Sequence, residues 1–398
     1  MPAMDVVHTS LIEDPVDLVN LLPCHRAISC WVRFGKGIVG SGIAHAGSFP
    51  SAAAAEAWWL ELVSTAKVTN VFDEPMAGPV AFISFPFTPD GSYEVVVPEV
   101  VIGSRNGQSW ITTWNHAELA ARKGTPSPLP EMQFRTGNFD HDQWISVVNQ
   151  IITRIHHHSV DKVVLARDEI AETPSPIDVC SVLTHLAAAY PQTWTFCVNN
   201  LVGASPELLI RQDRGLITSR VLAGTIHGDH DESSLAEALK SSSKDLREHE
   251  YAVASVANAL RPHVTSLHVP EVPFVLQLPN VMHLASDISG AVRPGATVLE
   301  LASTIHPSAA VCGTPTALAR EVITELENMD RGRYAGPVGW INAEGDGEIA
   351  LALRCGMIEE KHVRIFAGCG IVADSNPEAE WAETQAKLLP MKQALGVL

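Results

Sequence analysis

Near the C-terminus, Glu380, Glu383 and Lys387 stand at i, i+3 and i+7. On a helix this spacing puts two carboxylates and one ammonium on a single face. Such a face is either a surface salt-bridge ladder or one wall of a charged site. The residues before it, FAGCGIVADSNP over Phe366–Pro377, run from an apolar strand through two glycines into the helix. Glycines at such a place let a ligand approach the backbone. A second acidic face lies in Lys244-Asp245-Leu246-Arg247-Glu248-His249, where Asp245 and Glu248 are i, i+3 neighbours. Magnesium takes one or two carboxylates from separate elements and completes its shell with water and substrate oxygens. Glu248 and Glu383 together suit that requirement.

Further reactive groups stand at strand ends. Glu207 follows the tight turn Gly203-Ala204-Ser205-Pro206. A carboxyl at a strand mouth becomes a general acid when burial raises its pKa; otherwise it is an ordinary strand-end glutamate. Lys162 opens the apolar strand KVVLAR. A lysine serves as a base only when its surroundings disfavour its charge, and a solvated strand-start lysine is the alternative. Arg354 closes the run Ile349–Leu353 and calls for a partner, for which a substrate carboxylate is a natural bidentate match. His306, Tyr334 and Thr225 sit beside proline or glycine in apolar segments, as pocket-lining donors do.

Three other patterns carry less. Gly35-Lys36-Gly37-Ile38-Val39-Gly40 fits GxGxxG, but no helix start follows it, and the dinucleotide fingerprint needs strand, turn and helix together. His156-His157-His158 are consecutive, so on a helix they point about 100° apart and cannot share one ion. Cys312, six residues after His306, has no visible third group to orient a nucleophile pair.

The elements that would hold these groups can be read from periodicity. Helices are expected over Ser51–Lys67, Asp140–His158, Glu232–Leu260, from Thr314-Pro315 through Glu327, and over Pro377–Leu395. Thr314 would be the N-cap and Pro315 the first-turn residue. Strands are expected over Ile28–Phe34, Gly78–Phe87, Lys162–Ile170, Thr193–Asn199, Glu207–Gln212, Ile217–Ala223, Glu271–Leu278 and Val363–Val372. Trp340–Gly356 reads as a hairpin turning at Glu344–Gly347. Long strands without regular βαβ alternation point to an α+β fold with large, mainly antiparallel sheets. The stretch Arg122–Phe139 is the one plausible internal boundary.

Composition narrows the function. The chain has 398 residues, 46% hydrophobic and only 18% charged, which argues against disorder and allows a large core without disulfides. With 45 acidic and 27 basic side chains the formal net charge is −18. No basic run exists to hold nucleic acid or an anionic membrane. The seven cysteines are irregularly spaced, without a CxxC pair, and read as reduced thiols. Neither a signal peptide nor an 18-residue apolar span is present, so a cytoplasmic protein is expected.

The blocks KVVLAR (162–167), VGASPELLIR (202–211), LAGT (222–225), SKDLREH (243–249), IHPSAAVCGTP (305–315), RGRYAGPVGW (331–340), LRCG (353–356) and AGCGIVADSNPEAEWAETQAK (367–387) occur in one order. Together they resemble the chorismate-utilising enzymes, a family of isochorismate, salicylate, anthranilate and aminodeoxychorismate synthases. The resemblance covers most of residues 160–390. It implies one domain over 1–398, with a more variable part at 1–135 and a catalytic, chorismate-binding core at 140–392. It also implies two large, mainly antiparallel sheets packed together and flanked by helices. Magnesium would be held through Glu248 and Glu383 with Glu380 close by. Arg354 and Tyr334 would bind the enolpyruvyl carboxylate of chorismate, and Gly224, Thr225, His306, Gly368 and Lys387 would complete the pocket.

Two positions separate the branches. Relatives that use ammonia resemble one another in carrying Gln where this chain has Lys162, and the aminodeoxychorismate branch carries a lysine where Ala223 stands. The water-using branch is therefore expected, and the Arg354-Cys355 pair, the Met282-His283-Leu284 run and the length favour isochorismate synthesis. Salicylate synthesis, which adds pyruvate elimination, is the alternative. Lys162 would be the base and Glu207 the acid. A monomer without an amidotransferase subunit is expected, and the pathway served stays open between menaquinone, siderophore and salicylate. The chain departs from the family's usual text at Ile226-His227-Gly228, at Ser308-Ala309 and at Asp330. None of these removes a catalytic group.

Overall fold

The computed structural model describes every residue except 1–3, 16, 24–26, 71, 120–126, 227–231, 279–280 and 398. Cys24, His227, Gly228 and the start of the boundary at 122 lie outside the described residues. Two sheets dominate. One runs in spatial order through Arg135–Thr136, Lys162–Glu172, His362–Ile371, Cys355–Glu359, Leu201–Ser205, Trp194–Val198, Ile28–Arg33, Lys36–Ser41, Val100–Arg105, Gln108–Trp114, Val6–Leu11 and Lys67–Thr69. The other runs through Val264–His268, Met282–Val292, Leu216–Ile226, Leu208–Asp213, Gly347–Leu351, Pro337–Asn342, Val80–Ser84, Tyr93–Val97 and His45–Phe49. Among the described strands only Val6–Leu11 with Lys67–Thr69 pairs in parallel. Both sheets mix strands from before and after the boundary region. The fold is α+β, as the patterning implied.

Alternation within single strands explains the layering. In Ile28–Arg33, Trp31 enters the core between the sheets, while Cys30 and Val32 face a second cluster. Successive strand residues point to opposite faces, so a run apolar on both faces needs cover on both. The outer cluster is covered by helices, notably through Val182, Leu183, Leu186, Leu388 and Met391.

Eight α-helices are described: α1 (Ala52–Thr65), α2 (His141–His156), α3 (Val179–Ala189), α4 (Glu232–Ser241), α5 (Ser243–Leu260), α6 (Val298–Ile305), α7 (Thr316–Leu326) and α8 (Pro377–Ala394). The single helix expected over Glu232–Leu260 is two. Ser242 breaks it by adopting extended backbone and accepting the Asp245 N–H on its side chain, at 3.3 Å, so a side-chain cap replaces a helical turn. The start of α7 also differs. Pro315 itself is the N-cap, and Thr314 pairs with Lys162 across a two-residue bridge. The strand at Glu271–Leu278 shortens to Phe274–Gln277. The hairpin turning at Glu344–Gly347 joins Pro337–Asn342 to Gly347–Leu351, but Cys355–Glu359 belongs to the other sheet. Arg354 stands at that crossing with φ 47°. Among the described residues no helix is long and apolar enough to cross a membrane.

Candidate active site

The two sheets, α5 and α8 converge on a cavity of about 60 Å³. Glu207, Thr225, Glu248, Tyr334, Arg354, Gly368 and Lys387 line it, which brings together seven of the residues singled out from sequence. A larger cleft, about 750 Å³ between residues 63–79, 292–297 and 342–346, gathers none of them.

Lysines and carboxylates pair around this cavity. Lys162, fully buried at the start of its strand, places Nζ 3.2 Å from Glu248 Oε1. The contact is an ion pair without hydrogen-bond geometry. Lys387 Nζ donates to Glu383 Oε1 at 2.5 Å and to the Gly368 carbonyl at 3.0 Å. Lys244 Nζ donates to Glu380 Oε1 at 2.7 Å. Burial disfavours the Glu248 carboxylate, yet Lys162, Lys387 and Lys244 outweigh it and hold its pKa below the ordinary value. Burial and the nearby Glu383 charge raise Glu380, against the pull of Lys244. Lys244 itself is raised, because Glu380, Glu248 and Glu383 overcome the cost of its burial.

Glu207 behaves differently. Its carboxyl is buried without an ion pair among the described residues, and burial pushes its pKa up to about 8. Lys162, Lys387 and Arg354 pull the other way but do not cancel the loss of water. A carboxylic acid protonated near neutrality is therefore set in a wall that also carries cations.

Arg354 and Tyr334 form another wall. Arg354 is 9% exposed, and no carboxylate among the described residues lies within ion-pairing distance of its guanidinium. A buried cation without a counter-charge is costly, so this group is suited to an anionic ligand. Tyr334 stacks on Phe366 with ring centroids 4.9 Å apart. A Cβ at position 368 would collide with the Leu165 carbonyl oxygen on the neighbouring strand and crowd the Tyr334 hydroxyl, which explains the glycine there.

Other singled-out residues lie behind the wall. Lys162, Gly224, His306, Glu380 and Glu383 do not line the cavity. Gly224, at φ 77°, forms a bulge between Ala223 and Thr225 and packs against Asp245, where a Cβ would collide. The His306 ring is buried behind Phe87, with Nε2 3.1 Å from the Phe87 carbonyl oxygen, and burial lowers its pKa to about 4. The patterns set aside from sequence also resolve. Lys36–Ser41 pairs with Ile28–Arg33 in a hairpin; His156, His157 and His158 are exposed; the Cys312 thiol, raised by burial to about 11, donates to Thr316 O.

Sequence reasoning missed four contributors. Gly370 faces Lys162 and Glu248, and a Cβ there would collide with both. His283 touches Thr225 and Arg354. Lys244 neutralises Glu380. His249 ties α5 to the sheet through the Ala223 carbonyl and Ser286 Oγ, which fixes the register of Glu248. Gly370 and the His283 run lay in quoted motifs, but nothing in their spacing marks a role.

The donor set suits a hard divalent ion. Among the described residues no three His, Cys, Asp or Glu side chains converge closely enough to hold one unaided. Glu248, Glu380 and Glu383 nevertheless all act on Lys244. They surround one region, and a lysine meets each carboxylate there. An ion that takes one or two of these oxygens, with water and substrate completing its shell, fits this arrangement.

The site is a cavity between two large, mainly antiparallel sheets, lined by a buried carboxylic acid, a carboxylate, a lysine and a guanidinium without a counter-charge among the described residues. The chain belongs to the chorismate-binding enzymes, whose family model matches residues 35–396. It is 38% identical over 339 residues to isochorismate synthase DhbC of Bacillus subtilis (strain 168), covering 80% of this chain and 81% of that protein. It is 34% identical to isochorismate synthase EntC of Escherichia coli (strain K12), over 84% of this chain and 85% of that one. The crystal structure of DhbC from Bacillus anthracis superposes with a TM-score of 0.81 at 30% identity, over 96% of this chain and 99% of that chain.

Proposed function

We propose that this protein is an isochorismate synthase that converts chorismate to isochorismate with magnesium. The observation that carries the reading is the pairing of opposite roles around one cavity. Burial favours the protonated form of Glu207, and Lys162 stands behind the cavity wall with its Nζ 3.2 Å from Glu248 Oε1. Relatives along most of the chain carry the same activity in their names.

The chemistry follows from charge. Arg354 and Tyr334 receive the enolpyruvyl carboxylate, and the Gly368 backbone and Lys387 bound the ring. Lys162, once it has released the proton that makes it the cationic partner of Glu248, takes a proton from water as the water oxygen bonds to C2. The ring double bond shifts, the C4–O bond breaks, and Glu207 gives its proton to the departing hydroxyl. One water enters and one leaves, so the net change is an isomerisation. Lys162 ends protonated and Glu207 ionised, and proton exchange resets both. Glu248 and Glu383, with Glu380 beside them, would hold a magnesium ion, which would supply positive charge for the ring carboxylate. Ligand-sized pockets are usually about 300 Å³ or more, so substrate entry must widen this cavity of about 60 Å³.

The test is chromatographic analysis of products from chorismate, with magnesium and with a chelator. Isochorismate formed only with magnesium is expected. Salicylate and pyruvate appearing without an added lyase would replace this reading with salicylate synthesis, and no turnover would overturn both.

A further inference from the structure

His283 stands in the strand Met282–Val292, directly across from Thr225. That register is produced by the bulge at Gly224, which shifts the pairing between Ala223 and Thr225. A directly opposed pair shares one face of the sheet, so Thr225 and His283 meet: Oγ1 and Nδ1 are 3.1 Å apart. On its other side the imidazole meets Arg354, with Nη2 3.1 Å from Nε2. A guanidinium can only donate. Nε2 is therefore the acceptor, and Nδ1 carries the proton of the neutral ring and donates toward Thr225 Oγ1 or the Gly224 carbonyl. Burial, then the charges on Arg354 and Lys387, keep the pKa of this ring well below the ordinary histidine value. The ring is 4% exposed and lines the cavity.

Arg354 needs such an anchor. It sits in left-handed backbone where the chain crosses between the sheets, and no carboxylate among the described residues fixes its fork. A long side chain held by nothing samples many rotamers, and positioning is a large part of what a site supplies to its substrate.

We propose that His283 is a positioning residue. Through its Nε2 acceptor it aims the Arg354 guanidinium at the substrate carboxylate, and through Nδ1 it ties that aim to the Gly224–Thr225 bulge. The inference rests on reading Arg354 as the group that binds the carboxylate of chorismate. It accounts for a histidine, rather than a carboxylate, beside Arg354. A carboxylate there would neutralise the guanidinium and compete with the ligand, whereas an imidazole accepts one N–H and leaves the positive charge available.

The test uses the full chain and chorismate itself. Wild-type product analysis comes first, and an enzyme that makes no isochorismate overturns the functional reading and this role with it. With wild-type turnover shown, His283→Leu is expected to raise both KM and the calorimetric Kd for chorismate about tenfold or more, the weight of one hydrogen bond to a charged group. The effect on kcat should be smaller and the melting transition should remain cooperative. His283→Gln, which restores an acceptor near Nε2, is expected to stay within about threefold of wild type in Kd. In an Arg354→Ala background, His283→Leu should weaken binding no further, because the two act as one unit. If the leucine variant does not fold, His283→Asn replaces it: its shorter amide reaches Thr225 but not Arg354, and the same loss is expected. An unchanged Kd in the acceptor-lacking variant, equal losses for Leu and Gln, or additive effects with Arg354→Ala would each overturn the proposal.

Discussion

Lys162 Nζ lies 3.2 Å from Glu248 Oε1, with the lysine side chain wholly buried. The contact joins the first residue of the strand Lys162–Glu172, next to one end of its sheet, to the first half of α5. It also joins two roles, since the proposed base and a proposed metal ligand share one pair of charges. A cation bound by Glu248 would compete with Lys162 for the same oxygen. Gly370 on the neighbouring strand leaves room for this meeting.

The base role predicts the effect of one substitution. Lys162→Gln keeps length and removes the amine, so isochorismate formation should fall by about 10²–10⁴-fold, the usual weight of a positioned base. Chorismate binding, measured by calorimetry, should stay within about tenfold, because Arg354 and Tyr334 remain. A variant that still turns over at the wild-type rate would remove Lys162 from the mechanism.

The acid role predicts an alkaline limit. Glu207 must carry its proton when the C4 hydroxyl departs, and burial sets its pKa at about 8. The protonated form is present below that value and lost above it. The kcat/KM profile should therefore be flat toward neutrality and fall about tenfold per pH unit beyond the limb. Glu207→Gln, which cannot donate this proton, should be nearly inactive at every pH. A flat profile through pH 9 in the wild type would exclude Glu207 as the acid.

Metal dependence should appear in binding as well as in turnover. Chelation is expected to stop the reaction and magnesium to restore it. Glu383→Gln removes a charge from the oxygen set and should raise the magnesium concentration for half-maximal activity at least about tenfold. Manganese binding, followed by its paramagnetic resonance signal, should weaken in parallel. Full activity in chelator would rule out the magnesium reading.

Gly370 offers a steric test. A Cβ at this position collides with the Glu248 carboxylate and the Lys162 Cε. Gly370→Ala should cost about 1–3 kcal/mol of stability, as overpacking does, and should depress turnover beyond that loss because the ion pair must move. Denaturant unfolding and steady-state rates read the two effects separately. Unchanged values for both would mean that the strand yields at no cost.

Much of the fold was open to reading along the chain. The α+β class followed from long apolar strands without βαβ rhythm. The shared face of Glu380, Glu383 and Lys387 followed from a period that α8 obeys. Helix 232–260 misled because a run of good helix formers hides a serine cap; the cap acts through one side-chain hydrogen bond, which hydrophobic periodicity does not record. The hairpin after Trp340 was correct up to its second strand, and the crossing at Arg354 was not visible, because left-handed backbone at an arginine has no sequence mark.

The sequence by itself therefore determined which groups exist for the chemistry and which face of which element carries each, since both depend on residues a few positions apart. Tertiary structure alone decided the partners: Lys244 with Glu380, 136 residues away, Lys162 with Glu248, and His283 between Thr225 and Arg354. It also decided which carboxyl is protonated. A pKa depends on how much water is excluded and which charges remain nearby, and both are set only when strands and helices distant along the chain pack around one cavity.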